Sequence, residues 1–245
     1  MKKFAVTYAG ILVAVLVSFQ FPSAGMGEDS KTGTEQNKPL IKKLGHVQID
    51  EDVWYRFHDE PPLHMQRARE GFIKHEFVAT SRELHKVGGY LHAAASQADD
   101  DLKMMLHDSA EELDQLSDSV KTGTVDSVTR LENAFARAEH ALAIHNQRMA
   151  QRALERADAI RSGQYLRTAV QNAENSAHWA GHKLESGSQK VLDTGRNLAG
   201  KMIETPGFVV QESSKGIIAV GAELQQFGKW LEPRRITGKP IRKTN

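Results

Sequence analysis

Cysteine is absent from all 245 residues of the chain. That removes disulfides, thiolate metal centres, thiol nucleophiles, covalent haem attachment and lipoprotein anchoring, each of which needs a sulfur. The other catalytic signatures are missing too. His75-Glu76-Phe77-Val78-Ala79 begins like a zinc-protease motif but lacks the second histidine. No glutamate is followed three residues later by histidine, so the di-iron carboxylate pattern is absent. No Gly-x-Ser-x-Gly elbow or phosphate-cradling glycine loop occurs. The acid pair Glu111-Glu112 sits in an open charged stretch with nothing to raise its pKa. No catalytic residue is assigned, and the chain reads as a non-enzyme.

An excess of one charge is also lacking, with 32 lysines and arginines against 31 aspartates and glutamates. The balance is uneven locally. Asp99 to Asp118 carries eight acids against Lys103, whereas Pro233 to Asn245 carries Arg234, Arg235, Lys239, Arg242 and Lys243 without an acid. Solvated helix faces account for the first stretch.

The clearest feature present is at the N-terminus. Lys2 and Lys3 precede an apolar run from Phe4 to Phe21, and Pro22-Ser23-Ala24-Gly25-Met26-Gly27 offers small residues for cleavage. This is the build of a secretory signal peptide over residues 1–27, with an uncleaved anchor as the alternative. It predicts a periplasmic or secreted protein, exported from a bacterial cell. Export makes a nucleic-acid partner unsuitable for the basic C-terminus. Without disulfides, the exported fold depends on burial alone.

Residues 28–60 read as a flexible tether followed by a short docking segment carrying Trp54, Tyr55 and Phe57. Pro61-Pro62 then starts a helix. Residues 61–204 are predicted to form a helical-hairpin bundle. One seam runs Ile73, Phe77, Thr80, Leu84, Val87, Leu91, Ala94, Ala98; a second runs Val128, Leu131, Phe135, Ala138, Leu142, His145, Met149. Spacings of three and four place each set on one helical stripe that needs burial. Turns are expected at Lys74-His75-Glu76-Phe77, Thr122-Gly123-Thr124-Val125 and Ser162-Gly163-Gln164-Tyr165. Their separations suggest stacked helical hairpins without the tetratricopeptide signature. Residues 205–232 form a C-terminal amphipathic helix with Ile217, Val220, Leu224, Phe227 and Leu231 on one face. Residues 233–245 are expected to be a basic disordered tail. The fold class is therefore all-α, an antiparallel bundle of five or six helices.

The one local set with metal-ligand spacing is Glu174, His178 and His182, whose repeated spacing of four stacks all three on one helical face. It would take a divalent transition metal; no other cofactor is implied. A polar helix face beside Trp179 explains the same residues more simply. His85 and His92 share a face but stand about 10.5 Å apart along a helix, too far for one ion. His145, within an apolar stripe, reads as a buried hydrogen-bonding residue.

Three functional readings follow. The leading one is a binding or scaffolding module of the cell envelope that engages a protein partner on its helical surface. The second is a periplasmic metal-ion-binding protein using Glu174, His178 and His182. The third is peripheral membrane association, through the C-terminal helix and its basic tail.

Overall fold

The computed structural model describes residues 60–205 and 210–236. Within them the chain forms seven α-helices and no strand. They are α1 (Glu60–Ile73), α2 (Phe77–Ala95), α3 (Asp100–Lys121), α4 (Val128–Glu155), α5 (Ala159–Trp179), α6 (Ser186–Glu204) and α7 (Val210–Ile236). The all-helical class is as the periodicity implies, with seven helices in place of five or six. The leader, the tether, the docking residues Trp54, Tyr55 and Phe57, and the tail from residue 237 onward lie outside the described residues. No helix among the described residues is long and apolar enough to cross a membrane.

Four of the interhelix breaks share one closure. At His75, Gly123, Ala157 and Gly181 the backbone turns left-handed, with φ of 61°, 69°, 60° and 61°. In each case the next residue's N–H donates to the carbonyl five residues back: Glu76 to Gly71, Thr124 to Ser119, Asp158 to Ala153 and His182 to Ala177. These are Schellman motifs, which satisfy the last carbonyls of a helix and reverse the chain. Asp158 and Ser127 then cap the following helices, accepting from Arg161 N at 3.0 Å and Thr129 N at 3.2 Å.

The turn expected at Ser162-Gly163-Gln164-Tyr165 is helical instead, inside α5. Gly163 serves packing. A Cβ there would stand 2.8 Å from the Ala199 carbonyl oxygen and 2.9 Å from Met202 Cβ, so the missing side chain lets α6 approach α5. The actual break lies a turn and a half earlier, at Ala157, which carries no glycine signal. Opposite outcomes follow for two glycine–alanine exchanges. Gly163→Ala should destabilise by about 1–3 kcal/mol through overpacking, despite alanine's better helix propensity. Ala157→Gly should stabilise by about 1 kcal/mol by relieving the left-handed conformation. Urea unfolding of both variants checks the pair, and equal signs would show that propensity rather than local geometry decides.

Small residues and hydroxyls bring neighbouring helices close. Ser162 Oγ donates to the Ala150 carbonyl at 2.7 Å and Ser176 Oγ to the Ala136 carbonyl at 2.5 Å, fixing α5 antiparallel to α4. Ser117 Oγ does the same to the Ser81 carbonyl at 2.9 Å between α3 and α2. Leu131, Phe135, Ala138 and His145 of the second seam are all buried on α4. The first seam is split: Ile73 ends α1, Phe77 to Ala94 lie on α2, and Ala98 falls in the bend before α3.

In an open stack of hairpins each unit touches only its neighbours. Here α7 returns to α4, where Gln147 Nε2 donates to the Ile217 carbonyl at 3.2 Å. Ile217, Val220, Leu224, Phe227 and Leu231 are thereby buried, so the face expected to meet lipid is occupied by the bundle. The helix also continues to Ile236, past the position where the tail was expected to begin.

Candidate functional site

The ends of three helices border a cleft of about 680 Å³. The first three turns of α1 supply Pro62 and Arg69, the second turn of α4 supplies Glu132, and the last two turns of α5 supply Asn175, His178 and Trp179. Arg69 Nε donates to Glu132 Oε1 at 2.7 Å, joining α1 to α4 across one wall. Trp179 lies edge-on against the buried Phe135, with ring centroids 5.2 Å apart, so the core of α4 sets the indole's position. Left-handed Gly181, just past the end of α5, completes the lining beside Trp179. A guanidinium, carboxylates, amides, an imidazole and an indole thus face one opening. That lining suits hydrogen bonding and stacking to a polar or peptide ligand.

Behind this wall is a carboxyl removed from water. Glu139 is 0% exposed, and burial pushes its pKa up to about 8, opposed by a long hydrogen bond from Asn175 Nδ2 at 3.5 Å. Its Oε2 has no hydrogen-bond partner among the described residues. The next residue, His140, is also buried, and loss of hydration pushes its pKa down to about 4. His140 faces Phe227 and Gly228 of α7 beside a smaller cavity of about 130 Å³, near the Arg137–Glu112 ion pair.

The structure disperses the three residues singled out for metal binding. Glu174 is ion-paired with Arg196 of α6, a contact that also raises the pKa of the guanidinium. His178 lines the cleft and lies edge-on to Trp179, with centroids 5.6 Å apart. His182 falls beyond the end of α5, and its ring packs on Trp230 and Phe227 of α7, at centroid distances of 3.9 and 5.4 Å. The expected single helical face is therefore corrected: α5 ends at Trp179 and left-handed Gly181 breaks the spacing of four. Among the described residues, no three histidine, aspartate or glutamate side chains are placed closely enough to hold a metal ion as they stand.

Sequence reasoning found His178 but not the cleft. Arg69 and Glu132 are 63 residues apart, and no local spacing connects them. The available signal was polar side chains, Glu139 and Asn172, at buried positions on the packed faces of α4 and α5. No protein-family model matches the chain, and no curated protein or solved structure shows significant similarity to it.

Proposed function

We propose that the protein is a non-enzymatic binding or scaffolding module of the cell envelope, exported by its leader, and that it engages a protein partner at the α1–α4–α5 cleft. The observation that carries this reading is the cleft itself: an opening of about 680 Å³ with Arg69, Glu132, Asn175 and Trp179 gathered from three helices. Indole and guanidinium groups are the side chains that most often dominate protein recognition. The wall is backed by the core through Phe135, so the ligand-facing groups are already ordered before binding.

Filling the cleft tests the proposal. Asn133 is half-buried on its wall, and Asn133→Trp places an indole in the opening while leaving the buried core untouched. Co-precipitation from envelope extract should recover a partner with the full wild-type chain and at least about tenfold less with the variant, a difference of about 1.4 kcal/mol in affinity. Equal recovery by the two proteins at equal thermal stability would place binding elsewhere. Recovery of nothing by either would remove the reading.

A further inference from the structure

We propose that the cavity bordered by α3, α4 and α7 binds a small uncharged aromatic alcohol, phenol in size and character, with the His140 imidazole as its hydrogen-bonding partner. Size sets the first limit. The space is about 130 Å³, close to the roughly 150 Å³ of an apolar protein cavity that takes up one benzene. A single benzene-type ring fills it, and a bicyclic or peptide ligand does not fit.

The lining sets the second limit. Met105 of α3 and Leu231 of α7 supply apolar contact, and the methionine sulfur suits an aromatic ring. Two buried polar side chains join them, Ser109 of α3 and His140 of α4, the latter only 7% exposed. His140 Nδ1 has no hydrogen-bond partner among the described residues, which is costly for a polar atom withdrawn from water. On its other side the ring meets α7 at a glycine: a Cβ at Gly228 would stand 2.7 Å from His140 Nε2. Gly228 lines the cavity too, so the missing side chain keeps that edge of the imidazole uncovered by a methyl group.

Charge sets the third. Burial lowers the His140 pKa to about 4, so the ring is neutral at neutral pH, with one nitrogen donating and the other accepting. A hydroxyl group both donates and accepts, and therefore meets either tautomer. Arg137 is held by Glu112 of α3, its Nε donating to Oε2 at 2.7 Å and its Nη2 to Oε1. That pair is neutral as a whole and offers a carboxylate ligand no net attraction, while the exposed Glu232, which also lines the cavity, repels one. An ammonium ligand would shed its hydration against Met105 and Leu231 with only a neutral imidazole in return. Uncharged ligands remain.

Phenol and its isostere toluene are the probes, titrated into the full chain carrying isotope-labelled methionine methyl groups. The Met105 methyl resonance should move saturably with phenol, at a Kd of about 1 mM or tighter. That of Met104, exposed and outside the lining, should stay in place. Toluene should bind at least about tenfold more weakly, since it leaves the imidazole without a partner. His140→Phe, similar in shape but unable to hydrogen-bond, should erase that preference and bring the two affinities within about twofold of each other. Met105→Trp changes an exposed position, fills the opening and should remove both ligands from a folded chain. No saturable Met105 shift in the wild type would overturn the proposal. So would equal wild-type affinity for phenol and toluene, a preference for phenol that persists in folded His140→Phe, or phenol binding that survives Met105→Trp.

Discussion

Replacing Phe135 by alanine should lower the unfolding free energy by about 3–5 kcal/mol. Phe135 is 0% exposed at the centre of the α4 seam, and its ring is the surface against which Trp179 rests edge-on. Truncation removes the hydrophobic contribution of the ring and leaves a void between helices already drawn together by hydroxyl–carbonyl bonds, such as Ser176 to Ala136 at 2.5 Å. With the backbones pinned at that distance, the void closes poorly, which places the loss high in the usual range. Domains commonly have about 5–15 kcal/mol in total, so the variant should remain folded but be markedly sensitised to urea.

A second measurement separates this residue from the rest of the core. Leu192 of α6 is 1% exposed, and Leu192→Ala should have a comparable cost of about 2–5 kcal/mol. It does not line the cleft. Both variants should unfold at lower urea, yet only Phe135→Ala should also lose partner recovery under conditions where it is fully folded. A loss below about 1 kcal/mol for Phe135→Ala would mean that the site collapses around the void and that α4 is not a rigid wall.

How much of this was legible in the chain differs by element. The α4 seam of Leu131, Phe135, Ala138 and His145 was readable because every apolar contact is made from one continuous helix, where spacing alone specifies a face. Gly123 was readable as a turn because glycine adopts left-handed backbone at no steric cost. The turn expected at Lys74-His75-Glu76-Phe77 is also present, with His75 left-handed, whereas Ala157 adopts the same conformation with a side chain that disfavours it, so its closure leaves little trace in composition. Gly163 shows the converse: its glycine reports the approach of α6, a tertiary contact, rather than a turn. The same reason hid the cleft and the pairing of Asp114 on α3 with His85 and His92 on α2. Asp114 lies 29 and 22 residues from its two histidines, and only the antiparallel packing of α2 on α3 brings them together. His182 failed in the opposite way, since spacing arguments hold only while the helix lasts, and α5 ends before it.

Adjacent residues on α4 should give the protein two opposed pH limbs, separable by one substitution. Burial raises the Glu139 carboxyl from the usual 4.5 to about 8 in the folded state. The unfolded chain releases that proton near 4.5 while the folded chain holds it, so stability falls as pH climbs through this window. His140 behaves oppositely, its pKa being lowered from 6.5 to about 4. The unfolded chain takes up a proton below 6.5 while the folded chain refuses it until about 4, so stability falls as pH drops. Between the two unfolded values the slopes largely cancel. Above about pH 6.5 only Glu139 acts, at about 1.4 kcal/mol per pH unit, removing about 2 kcal/mol by pH 8. Glu139→Gln keeps the shape and the oxygen that accepts from Asn175 but cannot ionise. It should match the wild type near pH 4.5 and exceed it by on the order of 4 kcal/mol at pH 8. The difference between the two unfolding curves, taken across that range, isolates the carboxyl from every other titrating group. Parallel curves for the two proteins would show that water reaches Glu139 in solution, and that the wall behind Asn175 is not sealed.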